Sequence, residues 1–478
     1  MVEEILINVT PREVRIALLK SGVLQDIYIE RYAQQGLVGN IYKGKVSRLL
    51  PGIQAAFVDI GLERSAFLHL NDIKAHASPA LDIRDFLSPG QEILVQVYKE
   101  PLGSKGARLT TQFTIPSRYL VLTPNVYQIN VSQKMNDEIE RERLLTMIAV
   151  GEYGGYIFRT AAEGAVQADI DADKDFLNAQ WTEIVARARQ AKPGDIIYED
   201  IPLLLRVLRD MASSSVEKIR VDHLETVLQM RDFANRYVPR FAERIEYYAE
   251  EHPIFDIYAV DQELQKSLER KVALKSGGYV VFDQTEAMTT IDVNTGSYVG
   301  HANGEQTIIK TNLEAVDTIA RQVRLRNLGG IIIIDFIDMI DPLHQANLLQ
   351  SLATALSKDS VKTEISELSR LGLVQMTRRR TRESVEHILC VPCPLCQQRG
   401  SIKSLETISY DILREIKRTA VYFSWPGFLV LAAEKVVNYL RNEEPTLLAH
   451  LETQLGKSIE LRVESSYVQE HYDILPKE

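Results

Sequence analysis

The sequence of 478 residues is poor in cysteine, with three in all, at residues 390, 393 and 396. So few cysteines exclude a framework of disulfide bonds and fit a reducing compartment. No apolar run approaches the roughly 18 residues that are needed to cross a membrane. Residues 1–7 also lack the basic region and apolar core of a secretory signal. These absences predict a cytoplasmic protein without a membrane span.

The sequence also lacks an excess of positive charge, since 55 Lys and Arg residues against 65 Asp and Glu residues give a net charge of −10. This charge argues against a surface that binds nucleic acid everywhere, but affinity for phosphate depends on where basic residues cluster. Two clusters exist, at residues 321–326 and 378–382. They leave open an RNA-binding or phosphate-binding role, beside the commoner interpretation that charge runs are solvated faces.

Two aspartates each end an apolar segment. Asp292 follows residues 289–291, and Asp335 ends a run of four isoleucines. Such a run predicts a central strand that is buried on both faces. Carboxylates at the ends of strands lie where open α/β sheets carry their chemistry. Together with the amide of Asn294 they suit Mg²⁺, which takes oxygen ligands. Spacing alone leaves open the alternative that both aspartates only end strands.

The coarse pattern along the chain predicts several compact units of mixed α/β and α+β class. Residues 1–35 read as short strands, and residues 39–111 read as five strands of a small OB-type barrel. Helices are predicted over 137–150 and 173–192, with a strand at 154–160 between them, and helices fill 200–248. Thr311 to Glu314 has the spacing of a capping box that opens a helix. Residues 401–478 resemble a small α/β unit.

The barrel segment contains Phe57 and Phe67, with Lys105 nearby in sequence. Aromatic faces can stack unpaired bases while lysines follow the phosphate backbone, as on OB-type surfaces that hold single strands. Phenylalanine in a β segment is more often part of the core, so both interpretations stand. Arg159 and Thr160 follow an apolar strand, where a guanidinium fork and a hydroxyl could hold a terminal phosphate. A solvated arginine is the alternative there.

Cys393 and Cys396 form a CxxC pair, which provides half of a tetrahedral zinc site. The other half could come from a second chain, which predicts a metal-linked dimer, or from His387 and Cys390 of the same chain. A redox motif is disfavoured because the pair follows a basic loop and not a βαβ unit. Three inert thiols are the remaining alternative.

Taken together, these segments resemble the ribonuclease E/G family of endoribonucleases. The segments that carry the resemblance are 55–59, 103–111, 159–161, 277–278, 285–287, 291–294, 329–339 and 393–396. The match runs in order from residue 1 to about residue 400 and is looser beyond it. The chain stops without a long disordered C-terminal half, so it is similar to the shorter members of the family and not to the longer ones.

The resemblance implies an S1 (OB-type) barrel inserted in an RNase H-like subdomain, followed by a DNase I-like catalytic subdomain. The implied boundaries are 1–35 and 206–270 for the two parts of the RNase H-like subdomain, 36–112 for the S1 domain, 113–205 for a 5′-sensor region, 271–385 for the catalytic subdomain, 386–400 for a zinc-link and 401–478 for a small C-terminal domain.

The resemblance further implies a Mg²⁺-dependent endoribonuclease that cuts single-stranded, A/U-rich RNA and leaves 5′-phosphate and 3′-hydroxyl ends. Expected roles are maturation of rRNA 5′ ends and mRNA turnover. Asp292 and Asp335 would bind Mg²⁺, and Asn294 would orient Asp292 or contact the scissile phosphate. The implied RNA contacts are Phe57, Phe67 and Lys105, with Arg159 and Thr160 on a 5′-monophosphate. Cys393 and Cys396 would share Zn²⁺ across a homodimer, with a higher oligomer also open. The alternatives are a non-catalytic RNA-binding or assembly protein, and a core of the ribonuclease E type that lacks its tail.

Overall fold

The computed structural model describes residues 3–32, 36–73, 82–101, 106–135, 137–211, 215–296, 304–359, 361–396 and 399–477. Lys105, which was predicted to bind RNA, lies outside the described residues. The chain divides into two units, Met1–Ile388 and Leu389–Glu478, and each is described by itself.

The first unit begins with an antiparallel meander in which apolar side chains alternate with polar ones, as expected for strands with one buried face. Its strands are β1 (Glu3–Val9), β2 (Glu13–Lys20) and β3 (Val23–Arg31). Ile5, Ile7 and Ile16 are buried on the inner face. The strands predicted in this segment are confirmed.

A closed barrel follows. Its elements are β4 (Ile41–Leu50), β5 (Ala55–Asp59), β6 (Ala66–His69), the short helix α1 (Leu70–Ile73), β7 (Glu92–Lys99) and β8 (Arg108–Thr110). The order β4-β5-β6-β8-β7 closes because β7 also pairs with β4. A Cβ at Gly44 would lie 2.5 Å from Cγ1 of Val58, so only glycine allows the strands this approach. The predicted five-stranded barrel is confirmed.

The next segment forms a four-stranded sheet, in the order β11-β12-β10-β9, covered by a long helix. Its elements are β9 (Ile115–Pro116), β10 (Leu120–Pro124), β11 (Ile129–Val131), α2 (Glu138–Met147), β12 (Gly154–Phe158), α3 (Gln167–Gln190) and β13 (Ile196–Tyr198). The predicted strand and both helices are confirmed, although α3 begins earlier than expected. Strand β13 pairs with β4 and so returns the chain to the barrel.

The chain then returns to the first sheet and completes it in the order β15-β14-β1-β2-β3. The elements are α4 (Leu203–Arg206), a π-helical turn (Val207–Met211), β14 (Val216–Val221), α5 (Leu224–Tyr237), β15 (Ile245–Tyr247) and α6 (Val260–Lys266). The prediction of helices throughout 200–248 was therefore wrong at β14 and β15. Strand β14 pairs with β1, and a local pattern cannot show a partner so distant in sequence.

The last part of the first unit is a six-stranded sheet, in the order β16-β17-β18-β19-β21-β20. The elements are β16 (Lys271–Ala273), β17 (Tyr279–Gln284), β18 (Met288–Asn294), α7 (Gly304–Leu325), β19 (Gly330–Asp335), α8 (Pro342–Leu356), β20 (Thr363–Leu368), β21 (Leu373–Arg378) and α9 (Val385–Leu389). Strands β18 and β19 run parallel.

Two expectations for this sheet need correction. Strand β19 is central as predicted, but it is buried on one face only: Ile332 and Ile334 are fully buried, whereas Ile331 is 47% exposed. The capping box at Thr311 is also wrong, because α7 already begins at Gly304. Thr311 lies fully buried inside that helix, and its hydroxyl donates a hydrogen bond to the carbonyl of Thr307.

The second unit is the small α/β structure that was predicted. Its elements are α10 (Leu405–Tyr422), β22 (Gly427–Ala432), α11 (Glu434–Asn442), α12 (Pro445–Leu455), β23 (Ser458–Val463) and β24 (Tyr472–Pro476). Strand β22 lies between a parallel β23 and an antiparallel β24. In neither unit is any described helix both long and apolar enough to span a membrane.

Candidate active site

The two predicted aspartates lie side by side at the ends of parallel strands. Asp292 on β18 is in register with Asp335, the last residue of β19. Both side chains are exposed, because the alternation of each strand buries the residues before them, Ile291 and Ile334. Asn294 shares this face two residues further along β18, and its Nδ2 donates to Oδ2 of Asp292 at 2.8 Å. The structure thus brings all three predicted residues together.

A third carboxylate, which the sequence analysis missed, belongs to the same edge. Burial and the neighbouring charges of Asp292 and Asp338 raise the pKa of Asp335 above its usual range. Asp338 is exposed in the segment after β19, and a Cβ at Gly372 would lie 3.3 Å from its Oδ1. The signal for Asp338 was its position three residues after Asp335, just beyond a buried strand. Three neighbouring like charges form a place where a bound cation would relieve repulsion.

A separate group of possible metal ligands lies near the starts of two helices. Among the described residues, ligand atoms of Glu305, Asp341 and His344 lie within 4.8 Å of one another. Nδ1 of His344 is 3.3 Å from Glu305, and its Nε2 is 3.8 Å from Asp341. This group places one imidazole between two carboxylates, whereas the ends of β18 and β19 bring together carboxylates alone.

The predicted aromatic pair lies on one outer face of the barrel. Phe57 and Phe67 are directly opposite each other on β5 and β6, with ring centroids 6.2 Å apart in an edge-to-face arrangement. Both are half-buried, whereas the next residue on each strand, Val58 or Leu68, is buried in the core. They are therefore not core residues, and their exposed ring surface is available to a base.

His69 extends this ring surface and was missed in the sequence analysis. Its ring centroid is 6.5 Å from that of Phe67 with an interplanar angle of 32°. Its Nδ1 accepts a hydrogen bond from the backbone N–H of Asn71 at 3.1 Å. The spacing of two residues from Phe67 on one strand placed it on the same face and could have identified it.

Arg159 and Thr160 lie together at the end of β12, as predicted, but each already has partners. Nη2 of Arg159 is 2.7 Å from Oδ1 of Asp210, and its Nη1 donates to the carbonyl of Ser117 at 2.6 Å. The hydroxyl of Thr160 is 3.2 Å from that of Ser132. The guanidinium is still 25% exposed, so part of its fork faces solvent.

The two basic clusters are mostly used inside the fold. Arg321 pairs with Glu263 and Arg324 with Asp26, while Arg326 lies over the ring of Phe282. In the second cluster Arg378 is buried against Asp359, and Arg382 lies 3.7 Å from the ring centroid of Tyr28. These arginines join elements of the first unit, which argues against the RNA-binding role that the sequence left open for them.

The cysteines lie before α10 in the second unit. Cys390 and Cys393 are exposed, and Cys396 is half-buried. Hydrogen bonds from the backbone N–H groups of Cys396 and Leu395, and from the Cys396 thiol, lower the pKa of Cys393. A lowered pKa favours the thiolate that a metal requires. In the first unit, the Nδ1 atom of His387 is 2.7 Å from the hydroxyl of Ser384.

Comparison with known proteins adds three domain matches. Residues 114–381 match the Ribonuclease E/G family, residues 37–111 match the S1 RNA binding domain, and residues 392–477 match a domain described as RNase E/G, Thioredoxin-like. The last description fits the small α/β unit, although CxxC there follows a loop and not a strand.

Full-length relatives point the same way. Ribonuclease G of Salmonella typhimurium (strain SL1344) is 50% identical over 99% of this chain and 100% of its own length. Ribonuclease G of Escherichia coli (strain K12) is 49% identical with the same coverage. Ribonuclease E of the same strain is 35% identical over 95% of this chain, but the match covers 44% of that relative.

Proposed function

The chain belongs to the ribonuclease E/G family and is an endoribonuclease that is more similar to ribonuclease G than to ribonuclease E. We propose that it cuts single-stranded, A/U-rich RNA and that Asp292 and Asp335 hold the Mg²⁺ ion that this cleavage requires. Family membership favours this enzyme over the alternative of a non-catalytic RNA-binding protein. The single observation that carries the metal proposal is the register of the two exposed aspartates at the ends of β18 and β19.

The donor set fits Mg²⁺. Carboxylate oxygens are the ligands that this ion prefers, and it keeps several waters, which an exposed strand end permits. When bound, Mg²⁺ would activate a water for in-line attack on phosphorus and offset charge on the phosphate. Asn294 fixes the orientation of Asp292 through its Nδ2 hydrogen bond, and Asp335 contributes the second carboxylate. The expected products carry 5′-phosphate and 3′-hydroxyl ends.

RNA would be held at two further places. Phe57 and Phe67, extended by His69, provide stacking surfaces on the barrel, and Lys105 would follow the backbone. Arg159 and Thr160 would bind a 5′-monophosphate, because a guanidinium beside a hydroxyl suits a doubly charged terminal phosphate. The biological roles we propose are maturation of rRNA 5′ ends and mRNA turnover.

Architecture and assembly complete the proposal. We assign the barrel to an S1 insertion in an RNase H-like subdomain, with a DNase I-like catalytic subdomain after it. Cys393 and Cys396 would provide half of a zinc site that joins two subunits, since both thiols lie on the surface or close to it. Replacing both by serine should remove zinc and shift a dimer toward monomer in sedimentation. Retained zinc with an intact dimer would instead point to His387 and Cys390 or to another interface.

One assay tests the central claim. Purified protein is incubated with fluorescent single-stranded RNA that carries a 5′-monophosphate or a 5′-hydroxyl, with Mg²⁺ or with EDTA. We expect internal cleavage in Mg²⁺, none in EDTA, and faster cleavage of the monophosphorylated RNA. Cleavage that persists in EDTA would overturn the metal proposal, and equal rates on both RNAs would overturn the 5′-sensing proposal.

A further inference from the structure

Asp210 connects the proposed phosphate-binding arginine to a buried network of charges. Its Oδ1 lies 2.7 Å from Nη2 of Arg159 and accepts a hydrogen bond from Nε of Arg209 at 3.0 Å. Its Oδ2 accepts from Nη2 of Arg209 at 2.9 Å. Arg209 also pairs with Asp200, at 2.7 and 3.1 Å, and is itself buried. One carboxylate therefore bridges an exposed guanidinium and a buried one.

The backbone around Asp210 is unusual. Residues Val207–Met211 form a π-helical turn, a rare conformation that occurs frequently at functional sites. Nη1 of Arg118 donates to the carbonyls of Leu208 and Arg209, so an arginine from the connection between β9 and β10 supports the turn. Arg209 and Asp210 are consecutive residues of this turn, and their side chains contact each other through two hydrogen bonds.

Asp210 keeps its charge because of its arginine partners. Arg159 and Arg209 both pair with Asp210, and Arg209 also pairs with Asp200. Burial and the nearby charge of Arg240 lower the pKa of Arg118 to about 10. Burial alone would raise the pKa of Asp210, but its pairs with Arg209 and Arg159 outweigh burial and lower it. Asp210 is therefore ionised at neutral pH and can hold the guanidinium of Arg159 by charge as well as by hydrogen bonding.

We propose that Asp210 is a positioning residue for 5′-end recognition: with the carbonyl of Ser117 it clamps the guanidinium of Arg159, so that the remaining N–H groups face the terminal phosphate of the RNA. This inference rests on the proposed role of Arg159. The carbonyl of Ser117 accepts one N–H of Nη1 of Arg159, and Asp210 accepts one N–H of its Nη2. A guanidinium has five N–H donors, so three remain for phosphate. Fixing them in advance lowers the entropy lost on binding.

The test is Asp210→Asn, assayed on RNA with a 5′-monophosphate and on RNA with a 5′-hydroxyl. The amide keeps the shape of the carboxylate but loses its charge and turns an N–H toward an arginine. Arg209 keeps both bonds to Asp200, so the fold is retained. We expect the preference for the monophosphate to fall on the order of tenfold. The loss should lie in KM for the monophosphorylated RNA, with kcat and the 5′-hydroxyl reaction unchanged.

Asp26→Asn is the matched control. Asp26 is likewise a carboxylate paired with an arginine, Arg324, but it is more deeply buried than Asp210 and has no bond to Arg159. It should lower stability without changing the preference. Asp210→Asn made in an Arg159→Ala background completes a double-mutant cycle, and there it should have no further effect if it acts through Arg159.

The possible results distinguish the positioning role of Asp210 from the proposed 5′ sensing by Arg159, on which it rests. If Arg159→Ala removes the preference while Asp210→Asn leaves it intact, the positioning role is overturned and 5′ sensing stands. A stronger preference in Asp210→Asn would also overturn it, because Asp210 would then compete with phosphate. If Arg159→Ala changes nothing, both the sensor and the positioning role are overturned. Loss of preference that appears equally in Asp26→Asn would show general destabilisation and overturn the role as well.

Discussion

At one end of β18 and β19, Asp292, Asp335 and Asp338 are exposed and share a like charge; at the other end of the same sheet, Arg378 is 3% exposed and fully paired. Arg378 donates to Oδ2 of Asp359 at 2.7 Å, to Oδ1 of Asn327 at 3.0 Å and to the carbonyl of Leu328 at 2.8 Å. Opposed charges thus stabilise one end, while repulsion is tolerated at the other. Perturbed carboxylates in such a position are a feature of functional sites.

The largest expected effect is loss of cleavage in Asp292→Asn. Removing a proposed Mg²⁺ ligand should cost several kcal/mol in the transition state, or about a thousandfold in rate. RNA affinity measured in EDTA and the thermal midpoint should not fall, since the change removes one of several neighbouring like charges. Asp283→Asn, in the same sheet but paired with Arg270, is the control and should cleave normally. Normal cleavage by Asp292→Asn would show that the exposed carboxylates at this end of the sheet do not serve catalysis.

At the paired end, Arg378→Met should reduce stability and leave chemistry intact. It strands a buried carboxylate at Asp359, which typically costs about 3–5 kcal/mol. Urea unfolding measures this loss, and cleavage per folded molecule should match the wild type. A small shift in the urea midpoint, with cleavage impaired, would show that this end also serves catalysis.

The fold near these residues could be predicted only in part. Asp292 and Asp335 were identifiable because a strand pattern and its end are local properties of the sequence. Arg378 was not, since its sequence neighbours Arg379 and Arg380 made it look like a solvated basic run. Its burial depends on Asp359 and Asn327, which only the tertiary fold brings to it.

Substitution of Phe57 and Phe67 tests whether the barrel binds RNA, at a site outside the sheet that contains β18 and β19. Phe57→Ala and Phe67→Ala should each weaken binding by about 1–3 kcal/mol, the usual contribution of one stacked base. Fluorescence anisotropy in EDTA measures the loss, and the dependence on salt should not change because no charge is removed. Ile53→Ala, an exposed apolar residue of the same barrel, is the control. Unchanged affinity would leave the aromatic pair without a role in binding.

The smallest effect concerns a paired charge at the surface, Glu140 with Arg143 on α2. The Arg143 hydrogen bond, with that from Gly164, lowers the pKa of Glu140 to about 2. A lowered pKa contributes stability above the unfolded value and loses it as the pH falls through the folded one. Glu140→Gln should therefore cost at most about 1 kcal/mol at pH 7, and this cost should disappear as the pH falls through about 2. A difference in thermal midpoint that grows with acidity would contradict this sign.

The regions around Arg159 show the same limit of sequence reasoning. The residue was found because it ends an apolar strand, but its clamp comes from a π turn inside a segment that the pattern assigned to regular helix. Likewise β14 contains the charged residues Glu217, Lys218 and Arg220 among apolar ones. Its apolar side chains are buried only because the strand pairs with β1, which is distant in sequence. Local periodicity identifies the elements, whereas partners distant in sequence decide which charges are satisfied.

The pairing of β1 with β14 has a consequence for synthesis on the ribosome. Strands β1–β3 emerge early, but β14 follows only after residues 32–215 have been made. At about 5–20 residues per second this delay is on the order of ten seconds or longer. Throughout it, one edge of β1 carries unpaired backbone groups, a template for wrong pairing with other chains. The barrel and the four-stranded sheet after it are therefore synthesised while the first sheet is still open.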